Sequence, residues 1–126
     1  MKILAPLGRI LFGAIFVLAG PGHFQEGTIA HAAAQGVPLA PLAVPLSGVI
    51  AVLGGLSIAL GYKARWGAWL IVLFLVPVTV MMHRFWGLPD PKETMMQQIM
   101  FMKNVSMLGA ALLITQVGSG PLSLKD

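Results

Sequence analysis

The sequence predicts an all-α protein, a bundle of four transmembrane helices, and three observations carry that prediction. Hydrophobic residues make up 57% of the 126-residue chain and charged residues only 10%, against roughly 25% charged in an ordinary soluble domain. That leaves too little polar surface to solvate a globule of this size. Four segments each approach the ~20 mainly apolar residues that a spanning helix needs. Between them stand Pro21, Gly61 and Pro89, and Gly118-Ser119-Gly120-Pro121 follows the last, residue types that break or end helices. By length, 1–126 is a single membrane domain.

The first span covers about Ile3 to Phe24. Met1-Lys2 before an apolar run also fits the start of a signal peptide, but Arg9 interrupts the run and no small-residue cleavage pattern closes it. A retained helix is therefore expected. Arg9, Gly13, Phe16, Gly20 and, if the helix continues past Pro21, His23 fall within roughly 40° of one line at 100° per residue. A stripe so mixed in polar and small residues should face protein and not lipid. In the loop GTIAHAAAQGVPLAPLAVPL, Thr28 can cap a short helix running through Gln35, which Gly36 ends before Val37-Pro38. Its alanine-rich face and single His31 suit an interfacial segment or a plug at the outer end of the bundle; a surface connector is the alternative.

The second span, about Leu42 to Leu60, carries Ser47, Ala51, Gly55 and Ala59 every four residues. Such a small-residue stripe lets membrane helices approach closely and is a candidate surface for a homodimer. The third span, Trp66 to about Phe85, contains Pro77, which a membrane helix tolerates with a kink. The fourth runs from about Met95 to Val117. Four spans place both termini on one side with Lys2, Arg9, Lys63, Arg65 and Lys125, so the positive-inside rule makes the termini cytoplasmic. Tyr62, Trp66 and Trp69 then fit the inner aromatic belt, and Phe85 and Trp86 the outer one.

Several chemistries drop out. The chain has no cysteine, which excludes thiol–disulfide exchange, thiolate zinc sites and iron–sulfur clusters. A net charge of +4, scattered and without interleaved aromatics, does not make a nucleic-acid surface. The histidine spacing gives no metal or haem ligand pair, and methionines on a packed helix are more economically core filler than soft-metal ligands. No self-contained catalytic centre and no resident cofactor is evident.

The stretch Met81 to Gly109 concentrates what polarity remains. Lys103 lies ~12 Å below the expected outer end of the fourth helix, and an ionisable residue at that depth calls for a named partner. Snorkelling to the headgroups is the alternative. Asn104, with Gln97 two turns earlier on the same face, should find a partner across a helix interface. Glu26 and His23 end the first span, His83 and Arg84 the third, and Asp90 and Glu93 precede the fourth. The expected polar cluster is therefore Lys103, Asn104, His83, Arg84, Glu26 and His23, with Lys103 meeting Glu26 or a carbonyl. Arg84 with Asp90 or Glu93 would form an ordinary loop salt bridge.

The opening LGRILFGAIFVLAGPGHF, the segment AAAQGVPLAPLAVPLSGVIAVLGGLSIALGYKARWGA, then MMHRFW and QQIMFMKNVSMLGAALLI together resemble the DoxX family of bacterial four-helix membrane proteins. Gly8-Arg9, Gly36-Val37-Pro38, Gly54-Gly55 with Gly61, the run His83-Arg84-Phe85-Trp86 and Lys103-Asn104 are its most specific pieces; His23 stands where many relatives carry lysine. The resemblance covers nearly the whole chain. It implies a multi-pass inner-membrane protein related to the small DoxD subunit of thiosulfate:quinone oxidoreductase, with links to membrane redox and oxidative-stress systems. The leading expectation is an accessory or quinone-interacting subunit, with quinone as ligand and a soluble oxidoreductase as partner. Two other readings stand beside it. One is a small-molecule transporter, although all four acidic residues, Glu26, Asp90, Glu93 and Asp126, lie in loops or at ends. The other is a structural partner without its own activity.

Overall fold

In a computed structural model of the chain, residues 3–83 and 85–118 are described. Five helices follow one another: α1 (Leu4–Ala19), prolonged by a 3-10 turn over Gly20–Phe24, then α2 (Glu26–Ala34), α3 (Ala40–Leu60), α4 (Ala64–Met82) and α5 (Pro91–Val117). Four spans are long and apolar enough to cross a membrane, the first being α1 with its 3-10 turn and the others α3, α4 and α5.

The helix ends correct the sequence reading where local chemistry overrides hydropathy. Counting apolar residues starts the last span at Met95, but α5 starts at Pro91. The Asp90 carboxylate accepts from the Lys92 amide at 3.0 Å, and proline is well suited to a first helical turn. Asp90 is thus a helix cap. Thr28 is not one: α2 begins two residues earlier, after Gln25 in an extended conformation, and Thr28 lies inside it. Gly36, at φ +91°, follows its end as expected. α4 leaves the helix at His83, not at Phe85.

Helix α3 is central. It packs against α1 on one side and α4 on another, α4 packs against α5, and α2 lies on α3. The α1–α3 contact joins the two stripes read from the sequence. A Cβ on Gly55 would stand 2.7 Å from the Gly13 carbonyl and 3.0 Å from Phe16, and one on Gly48 would stand 2.6 Å from the Gly20 carbonyl. Only hydrogen fits where two backbones run that close. The pairs Gly13–Gly55 and Gly20–Gly48 also run in opposite directions, so the helices are antiparallel. Arg9 and Phe16 are buried on this face at 6% and 3% exposure. The small-residue stripe of α3 is therefore occupied within the chain by α1.

Gly54 meets Gly67 and Ile71 of α4 in the same manner on another side of α3. The turn between these helices is short because Gly61 takes φ +70°. Its amide bonds to the Ile58 carbonyl at 3.2 Å and that of Tyr62 to the Ser57 carbonyl at 3.0 Å, a Schellman closure. Ser57 Oγ adds a bond to the Tyr62 carbonyl at 2.6 Å. Ala51, Ile58, Ala68, Ile71 and Leu75 fill the resulting core.

α2 is docked on the bundle and is not a bare connector. Ala32, at 2% exposure, packs with Ala40 and Val44, flanked by Ile29, Val37 and Met82, while His31 points outward.

Candidate functional site

Between the docked α2, the first half of α3 and the second half of α4 lies a cavity of about 370 Å³. Its wall is almost entirely aliphatic and aromatic; His23, Ser47 and Thr28 are the polar side chains on it. Leu46 and Leu73, which also line it, are 53% and 58% exposed, so the cavity opens sideways toward the surface that lipid would cover. Volume, apolar lining and a few placed polar groups are the usual attributes of a small-molecule site.

The 3-10 turn positions His23. A continued α-helix would lengthen past Gly20, but the tighter turn holds the ring against α3, where Gly48 leaves room for its Cβ. His23 Nδ1 lies 2.9 Å from Ser47 Oγ, and Ser47 Oγ donates to the Val44 carbonyl at 2.6 Å. The imidazole also lies tilted against Phe74, ring centres 5.5 Å apart and planes inclined by 55°. Phe74 in turn meets Phe16 edge-to-face at 6.1 Å, so the site rests on the buried core.

The polar cluster expected from sequence divides. His23 belongs to the cavity. His83 does not line it; its Nδ1 donates to Gln97 Oε1 at 3.1 Å across the α4–α5 interface, and beside it Phe85, Trp86 and Phe101 form an aromatic group with ring separations of 5.3 to 6.0 Å. Asn104 is buried toward α4 at 7% exposure. Lys103 and Glu26 are both exposed, and among the described residues no ion pair joins them. Adjacent helical residues point 100° apart, and here Asn104 turns inward while Lys103 stays exposed. Arg84 lies outside the described residues. Sequence reasoning missed Ser47 and Thr28 as cavity residues, because one was absorbed into a packing stripe and the other into a capping role. Among the described residues no group of three histidines, aspartates or glutamates is placed to hold a metal ion.

Comparison with known proteins bears on this arrangement. The DoxX family model matches residues 4–84, which takes in α1 to α4 and every residue of the cavity wall. The chain belongs to the DoxX family. It is 31% identical over 124 residues to inner membrane protein YphA of Escherichia coli (strain K12), covering 97% of this chain and 88% of that protein. It is 27% identical over 78 residues to the ER-derived vesicles protein ERV29 of Saccharomyces cerevisiae, covering 62% of this chain but 25% of that protein. No solved structure matches. With four membrane-spanning helices, this DoxX protein is a multi-pass protein of the inner membrane.

Proposed function

We propose that this DoxX protein is an accessory, quinone-interacting subunit of a membrane redox system, and that the cavity beside His23 receives the quinone head group. The cavity carries the reading: it is apolar, of small-molecule size, open toward lipid, and has one imidazole–hydroxyl pair on its wall. A lipid-dissolved ring with an apolar tail can enter sideways and bring its polar edge to the part of the wall that carries His23, Ser47 and Thr28. In this reading the chain binds and orients the quinone, and a partner carries the electron transfer. By the positive-inside rule the cavity lies in the outer half of the bilayer.

The accessory role is supported by α5. Lys103 lies ~18 Å along α5 from Pro91 and is exposed, as are Met102 and Ser106 beside it. A cation exposed partway along a spanning helix is costly against lipid alone and is better answered by another subunit.

Binding of a short-chain benzoquinone to the purified protein in nanodiscs tests the reading. Ala43→Trp, which fills the cavity, should abolish binding, and His83→Ala should leave it unchanged. No binding by the wild type, or full binding by Ala43→Trp, would sink it.

A further inference from the structure

The hydrogen bonds around His23 discriminate between ligand chemistries. Ser47 has one hydroxyl proton, and it is given to the Val44 carbonyl at 2.6 Å. The 2.9 Å contact between Ser47 Oγ and His23 Nδ1 can then be a hydrogen bond only if Nδ1 carries the proton. A neutral imidazole has one donor and one acceptor nitrogen. With the proton on Nδ1, Nε2 is an acceptor, and among the described residues no protein group donates to it. The ring that bears it lines the cavity. The Thr28 hydroxyl, also on the wall, both donates and accepts and so does not discriminate.

We infer that the cavity selects ligands that bring a hydroxyl proton to His23 Nε2, namely the hydroquinone form over the quinone, and more generally a phenol with an apolar tail. This rests on the proposal that the cavity binds a quinone-type ring and adds which redox form it prefers. A quinone carbonyl offers only acceptors and would face the lone pair of Nε2; a hydroquinone offers the proton that Nε2 lacks. An acceptor left unanswered in an apolar cavity is penalised, so the difference should be visible in affinity.

The test uses a matched pair that needs no redox control: a 4-alkylphenol and its methyl ether, measured against wild-type protein in nanodiscs. The phenol should bind roughly three- to tenfold more tightly, the range one net hydrogen bond supplies. His23→Phe should bind both equally, and His83→Ala should keep the preference. A second measurement needs no variant: ¹⁵N spectra of histidine-labelled protein should show the His23 proton on Nδ1. Equal affinities in the wild type, a preference that survives His23→Phe, or a proton on Nε2 each overturns the selectivity while leaving a quinone-binding cavity intact. If benzoquinone does not bind the wild type, the functional reading falls as well.

Discussion

Helices α1 and α5 flank the central pair α3 and α4, yet they are joined to it by opposite means. Glycine contacts bring the α1 backbone against α3 at Gly13–Gly55 and Gly20–Gly48, and the His23–Ser47 bond closes the cavity end. α5 instead buries Asn104, Ala111 and Thr115, packs Met107, Leu108 and Ile114 against the core, and makes side-chain hydrogen bonds near its ends. His83 bonds to Gln97 at one end, and Arg65 reaches the Val117 carbonyl at 3.4 Å at the other. Gly109, on its open face, has nothing within 4 Å of a would-be Cβ. In lipid, where burial of apolar surface does not drive helix association, close packing of small residues and interhelical hydrogen bonds are the two available glues. The first makes α1–α3–α4 one body that frames the cavity. The second leaves α5 attached along one face and open on the other.

That contrast can be broken by substitution. The largest effect is expected at Gly55→Leu, which must push α1 away from α3 and should cost about 3 kcal/mol or more; denaturant titration in mixed micelles measures it, and a loss under ~0.5 kcal/mol would refute the close-packed interface. Ala111→Leu, at a fully buried site of α5, should cost less, about 1–2 kcal/mol, because α5 can move outward. A loss equal to that at Gly55 would mean the two interfaces are alike. A double-mutant cycle with His83→Phe and Gln97→Leu should give a coupling of about 0.6 kcal/mol and not above ~1.7 kcal/mol. Smallest of all, Gly109→Ala should be neutral or stabilising by up to ~1 kcal/mol, since it gains helix propensity and meets nothing; a clear loss in the isolated protein would show that the open face of α5 is packed after all.

The sequence made the packed half of the molecule readable and left the cavity hidden. Stripes of small residues repeat at helical spacing, so Arg9, Gly13, Phe16, Gly20 and His23 on the first span and Ser47, Ala51, Gly55 and Ala59 on α3 could be read as faces, and both are used, each by the other. The spans were legible from hydropathy, to within a turn. What could not be read is which way a helix rotates when its polar residues neighbour each other: Lys103 and Asn104 looked like one site, and the α4 contact turns only Asn104 inward. The cavity was illegible for a related reason. It exists because Ala32, Ala40 and Val44 dock α2 over α3; the alanine-rich face of α2 allowed a plug or a connector and did not say where the segment would sit. Pairing His23 with Ser47 across 24 residues of chain depends on the close approach of the 3-10 turn to α3 at Gly48.

The length of α5 has a consequence of its own. At 27 residues it extends ~40 Å, whereas α4, with 19 residues, comes to ~28 Å, close to the ~30 Å hydrocarbon thickness. The surplus must be taken up by tilt or by protrusion of the polar first turn. α1 and α4 are each locked to α3 by backbone contact, and the three respond to the bilayer together. α5, held to that body along one face, is the element whose angle a thicker or thinner membrane can change, and with it the depth at which Lys103 meets its surroundings.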